Sequence, residues 1–134
     1  MDSSVDLFLA RARESLDGTA AELEQGRRHN SANRAYYACF QAAVAALLLF
    51  RLYSSRPAAE LSHKAVQALF AGELVQRRKR FPAEFRRTLP DLMAIRHAAD
   101  YWASGVSERE AARAAARARA FVEAILAVVV EQRL

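Results

Sequence analysis

Cysteine, glycine, proline and lysine are all scarce in this 134-residue chain. A single cysteine, Cys39, excludes an internal disulfide and a cysteine-built zinc site, and it fits a reducing compartment. Four glycines and three prolines leave few natural breaks, while Ala, Leu, Arg and Glu abound, a mix that favours helix. Lys64 and Lys79 are the only lysines, so arginine carries the basic charge. Long apolar runs are missing too. The longest, Ala42–Phe50, falls far short of the roughly 20 residues a membrane-spanning helix needs. No basic stretch precedes an apolar one at the start, so no secretory leader is expected. The expectation is a soluble, cytoplasmic protein that does not contact a membrane.

What is present suits one globular domain spanning residues 1–134. The chain is 53% hydrophobic and 26% charged, outside the disordered range. Its formal charge of +5 permits RNA, a phosphate or an acidic protein as partner. His29, His63 and His97 are scattered without a metal-ligand spacing, so no metal site is expected. Neither of the glycine-rich phosphate loops of nucleotide-binding folds occurs, and no cofactor is expected.

Periodicity predicts an all-α chain. Val5, Phe8, Leu9, Ala12, Leu16, Ala20 and Leu23 recur at helical steps, giving a first helix over about 4–26, capped by Asp2, Ser3 or Ser4 and stopped by Gly26. Residues 27–31 read as a polar connector, with Asn30 or Ser31 capping the next helix. That helix, from Ala32 to Phe50, is apolar around most of its girth, as suits the most buried one. It keeps one polar stripe: Asn30, Arg34, Tyr37 and Gln41. Residues 54–57 end it. A short helix over 59–71 follows, with Leu61, Ala65, Ala68 and Leu69 inward and Gly72 as its stop. The basic run 76–80 reads as a solvated loop.

Pro82 suits a helix start, and Pro90 must kink the next helix or begin a fresh one. That helix ends near 102–105. Ser107 and Glu110 match a capping box, and the last helix runs to about 132, burying Ala114, Phe121, Ile125, Leu126 and Val129. Short connections make an antiparallel up-and-down bundle of four long helices plus one short helix the expected architecture.

The chemistry gathers at Arg96-His97-Ala98-Ala99-Asp100-Tyr101-Trp102. Arg96 and Asp100 share one helix line, and His97 and Tyr101 share another about 100° round. One reading is a helix-end salt bridge with two aromatics covering the bundle edge. Ser62-His63 makes a poor nucleophile pair, because adjacent residues on a helix do not face each other.

Two stretches, Asn33-Arg34-Ala35-Tyr36-Tyr37-Ala38-Cys39-Phe40 and Arg96-His97-Ala98-Ala99-Asp100-Tyr101, resemble the N-R-A-Y-Y-A-x-F and R-x-x-A-D-Y motifs of the HEPN family. Ser62-His63-Lys64-Ala65-Val66 between them is similar to a stretch often found there. The resemblance spans roughly 5–132. It implies a small antiparallel helical bundle that dimerises, and in many members a metal-independent endoribonuclease or toxin. Such members are often paired with a minimal nucleotidyltransferase acting as antitoxin. Their hallmark R-x4-6-H meets its counterpart in a cleft at the dimer interface.

Here the positions after Arg96 that should hold histidine are Tyr101, Trp102 and Ala103. The resemblance then gives Arg96 the phosphate, Asp100 the task of orienting Arg96, and Tyr101 or His97 the proton transfer. Asn33, Arg34 and Tyr37 would line the same cleft as nucleic-acid or nucleotide contacts. An alternative is a non-catalytic, nucleotide- or partner-binding subunit of a nucleotidyltransferase, with Tyr101 as its modified residue. A third is a structural dimerisation module.

Overall fold

The computed structural model describes residues 3–53 and 62–134, in which the regular structure is helical and no strand occurs. We number the α-helices α1 (Ser3–Glu24), α2 (Arg28–Leu49), α3 (His63–Leu69), α4 (Thr88–Tyr101) and α5 (Glu108–Gln132). A π-helical stretch, Phe70–Arg77, continues α3, and a 3-10 turn, Ala83–Arg87, leads into α4.

The reversal between α1 and α2 is tighter than the sequence suggests. Gly26 takes a φ of +75°, a left-handed value open to glycine at a helix end. The Arg27 N–H then bonds back to the Glu22 carbonyl at 2.9 Å. With the turn closed there, α2 starts at Arg28, and the expected connector collapses. Ser31 is therefore not a cap. It is fully buried, and its Oγ donates to the Thr19 carbonyl at 2.9 Å.

In α1, Val5, Phe8, Leu9 and Ala12 face the core as expected. Further along, the inward positions are Ser15 and Thr19, while Leu16 is half-buried and Ala20 exposed. The inner line runs through the polar pair because Ser15 meets Gln41 at 2.9 Å and Thr19 Oγ1 donates to the Ser15 carbonyl at 2.9 Å. Both hydroxyls are satisfied, which removes most of the cost of burying them.

Helix α2 is the centre of the bundle, packed on α1, α4 and α5. Every residue from Ala42 to Leu48 is buried. Cross-helix partners run in opposite order. Ser15 meets Gln41 while Thr19 meets Ser31; Asp6 at the start of α1 pairs with Arg133 just beyond α5; Asp91 early in α4 pairs with Arg117 midway along α5. Thus α1, α2, α4 and α5 form the antiparallel up-and-down bundle, and α3 is the short helix.

Gly72 does not end a helix. The chain passes through it in the π-helical stretch, whose wider turn turns Phe70, Leu74 and Val75 all inward. Phe70 packs on Phe81 and Phe121 at ring distances of 5.2 and 4.9 Å, and Phe85 on Phe121 at 5.7 Å. Burial of a side chain such as Phe70 contributes roughly 1.5–3 kcal/mol. The break near Pro90 comes two residues earlier, at Thr88, so Pro90 occupies the first turn of α4, where its missing N–H has no partner to lose.

Helix α4 ends at Tyr101, and Ser107 and Glu110 form the complete capping box expected for α5. Ala114, Phe121, Ile125 and Val129 are buried, with Leu126 half-buried. The expected stop at 54–57, the start of the third helix at 59 and inward Leu61 lie outside the described residues, as does Asp2.

Candidate functional site

Residues 29, 33, 36, 37 and 40 advance along α2 in three- and four-residue steps, so they share the face turned away from α1. Arg96 reaches this face from α4. Its guanidinium carbon lies 5.1 Å from the centre of the Tyr37 ring and 5.8 Å from that of Tyr36. Both are cation–π distances. One terminal nitrogen reaches Met93 Sδ at 3.4 Å, a weak contact. Its Nε is buried with no hydrogen-bond partner. Among the described residues no carboxylate pairs with this cation.

The intrahelical Arg96–Asp100 pair expected from spacing is therefore not formed. Asp100 turns to α2 instead and accepts from Asn33 Nδ2 at 3.5 Å. The reason is positional. Arg before Asp is the weaker order for a helical pair, and the ring faces of Tyr36 and Tyr37 offer Arg96 a second attraction.

His97 and Tyr101 meet edge to face at 5.9 Å between ring centres, and both are exposed, Tyr101 to 78%. Trp102 is exposed to 69%. These rings share the C-terminal end of α4 but make no recorded contact with Arg96.

The polar stripe of α2 is split between two sides. Tyr37 faces Arg96. Asn30 reaches toward Glu22 at 3.4 Å, and Gln41 meets Ser15, both on the α1 side. Arg34 lies there too. Its aliphatic stem covers Gly18, with Cγ and Cδ 3.7 Å from where a Gly18 Cβ would stand. Arg34 is thus not brought to Arg96, whereas Asn33 and Tyr37 lie along the α4-facing side.

Sequence reasoning set His63 aside, and the structure places it in this centre. Ser62 caps α3 by accepting from the Ala65 N–H at 3.2 Å, which sets His63 in the first turn. Its Nδ1 lies 2.8 Å from Tyr36 Oη, and Gln67 Nε2 donates to the same oxygen at 3.1 Å. The imidazole packs on Phe40 at 4.4 Å, Tyr36 at 5.6 Å and Tyr37 at 6.1 Å. It thus shares the Tyr36–Tyr37 pair with Arg96. Burial first, and the Arg96 charge second, lower its pKa from the usual value near 6.5, so it is neutral at pH 7. Burial raises the pKa of the Tyr36 phenol, which stays protonated. The one available signal was the place of Ser62–Val66 between the two longer motifs.

Burial pushes the Cys39 thiol up and keeps it unreactive. His29 Nε2 accepts from the Val106 N–H at 3.3 Å and joins α2 to the turn after α4. Among the described residues no three His, Cys, Asp or Glu are grouped to hold a metal ion, and no helix is long and apolar enough to cross a membrane. The basic run 76–80 is exposed. Beside it Lys79, Arg80 and Arg86 rim an open groove of about 770 Å³ floored by Val75, Phe81 and Pro82.

Residues 5–129 match the HEPN domain. The chain belongs to the HEPN family. A comparison with curated proteins gave no match. HEPN membership supports a nucleotide- or RNA-related function at the level of the family. In this HEPN chain residues 101–103, after Arg96, are Tyr, Trp and Ala.

Proposed function

We propose that this chain is the RNA-binding, toxin-type member of a HEPN–nucleotidyltransferase pair, with Arg96 receiving an RNA phosphate. The observation that carries the reading is the state of Arg96: a fixed cation caged by two tyrosine rings, with a buried Nε lacking a partner and no carboxylate opposite it among the described residues. A purely structural arginine at a helix interface is normally paired, because an unpaired buried charge is costly. A phosphate supplies the missing acceptors through the bidentate guanidinium fork. Tyr37 adds a ring on which a base can stack, and the groove rimmed by Lys79, Arg80 and Arg86 adds positive charge for the rest of a backbone.

The test is titration of a labelled single-stranded RNA with wild-type and Arg96→Ala protein across salt. The variant is expected to bind at least tenfold more weakly, with the magnitude of the log–log salt slope smaller by about 0.7, the share of one phosphate contact. Equal affinity and slope would remove Arg96 from RNA binding.

A second reading is favoured by the exposure of Tyr101 and Trp102. Aromatics so placed suit a second copy of the chain or the partner enzyme, and the Tyr101 hydroxyl is open to nucleotidyl transfer. On this reading, incubation with the partner nucleotidyltransferase and ATP adds nucleotidyl mass to wild-type protein and none to Tyr101→Phe. Unchanged wild-type mass would remove it.

A further inference from the structure

Three side chains in the Arg96 centre form a hydrogen-bond chain that can run in either direction. As placed, Gln67 Nε2 donates to Tyr36 Oη. The Oη–H is then free to donate to His63 Nδ1, 2.8 Å away. In that polarity the imidazole proton sits on Nε2. Turning the Gln67 amide, which exchanges its oxygen and nitrogen, reverses both bonds: Oη–H donates to Gln67 Oε1, and Nδ1–H donates to Oη. Nε2 is then bare. Every member stays satisfied in both arrangements, because a hydroxyl and an amide each donate and accept. The second polarity also serves the imidazolium, so taking up a proton at Nε2 needs no further movement. Among the described residues Nε2 has no protein partner.

We propose that His63 is the catalytic base for cleavage of RNA held by Arg96, and that Tyr36 and Gln67 are positioning residues that select its bare nitrogen. The proposal rests on the RNA-binding reading above. In the step, Nε2 takes the proton of a ribose 2′-OH. The 2′ oxygen bonds to phosphorus, the bond from phosphorus to the 5′ oxygen breaks, and that oxygen takes a proton from water. His63 returns its proton to the hydroxide so formed. The products are a 2′,3′-cyclic phosphate and a 5′-hydroxyl, with atoms and charge balanced.

The groups facing the imidazole are Arg96 from α4, Tyr36, Tyr37 and Phe40 from α2, and Gln67 on its own helix, with Lys64 next to it and exposed. Among the described residues no carboxylate acts on the ring. Burial and the Arg96 cation keep it unprotonated at neutral pH, so the acid limb of the pH–rate profile falls below the ordinary histidine range.

The experiment follows a labelled RNA, and a DNA of the same sequence, with wild-type, His63→Gln, Gln67→Met and Gln67→Glu protein, reading affinity, product ends and rate against pH. Wild-type protein is expected to bind both strands and cleave only RNA. His63→Gln is expected to bind within about threefold of wild type and cleave 10²–10⁴ times more slowly, the usual worth of a general base. Gln67→Met leaves Oη–H no acceptor but Nδ1, so it slows cleavage and moves the acid limb to lower pH. Gln67→Glu gives Oη–H a carboxylate, so it moves the limb to higher pH. A residue with only a packing role would not move the limb in opposite directions. Cleavage by His63→Gln at the wild-type rate would overturn the proposal. So would RNA bound by wild-type protein and left intact, an outcome that leaves the RNA-binding reading standing. Absence of RNA binding by the wild type would overturn both.

Discussion

Toward α1, helix α2 presents Ser31, Arg34 and Gln41; toward α3 and α4 it presents Asn33, Tyr36 and Tyr37. On the first side polar groups close on neighbours within the chain, Ser31 on the Thr19 carbonyl and Gln41 on Ser15, while the stem of exposed Arg34 lies over Gly18. On the second side they stay partly open: among the described residues Arg96 Nε is unpaired and His63 Nε2 has no protein partner. A closed polar group adds about 1 kcal/mol to the fold, whereas an open buried one costs about 1–3 kcal/mol. The difference teaches where the molecule spends stability. One side of α2 fixes the bundle, and the other is the side on which we propose that a ligand binds.

Substitutions can break or sharpen this contrast. The largest effect on stability is expected where the open side is anchored at its end. Gly105 has a φ of +61°, and a Cβ there would collide with the His29 imidazole. Gly105→Ala should cost about 2–4 kcal/mol, from left-handed strain plus loss of the bond to Val106. Urea denaturation measures it, and an unchanged midpoint would show that this anchor holds nothing.

Next is Ser31→Ala on the closed side. It removes a buried donor and should cost about 1–2 kcal/mol in the same assay. If it costs nothing, the closed side is no more structural than the open one.

Smallest is Gly18→Ala. The new methyl would meet Arg34 at an ordinary 3.7 Å, and Gly18 lies within a helix. The variant should therefore gain about 0.5–1 kcal/mol. A loss would mean that Arg34 needs the space.

Much of the closed side was legible in the sequence. The apolar steps of α1, α2 and α5, the stop at Gly26 and the capping box of α5 are local signals, and local signals survive without knowledge of the fold. The inward turn of Ser15 and Thr19 was missed because their partners, Gln41 and Ser31, come from another helix. The early start of α2 was missed because His29, Asn30 and Ser31 are ordinary connector residues until the turn at Gly26 is known. Passage of the chain through Gly72 depends on the burial of Phe70 and Leu74, which spacing does not reveal.

The candidate site was less legible for the same reason. Arg96 stood out as a cation on an alanine-rich helix. Its neighbours at helical spacing suggested an Asp100 pair, but ring faces on α2 hold it instead. His63 is far from Arg96 in sequence, and only the fold carries it to the same two tyrosines. The absence of a histidine at 101–103 drew attention to the end of α4 and left unseen the imidazole that α3 brings to Tyr36 and Tyr37.

The central claim is that Arg96 serves a ligand and not the fold. The most direct measurement pairs stability with RNA affinity for Arg96→Met, which keeps apolar length and a sulfur suited to the tyrosine faces. The account predicts a change in unfolding free energy below about 1 kcal/mol, since loss of the cation–π contacts is offset by relief of the unpaired Nε. It also predicts at least a tenfold loss of RNA affinity. A loss of stability of about 3 kcal/mol, as for a broken buried ion pair, with RNA affinity unchanged would contradict it.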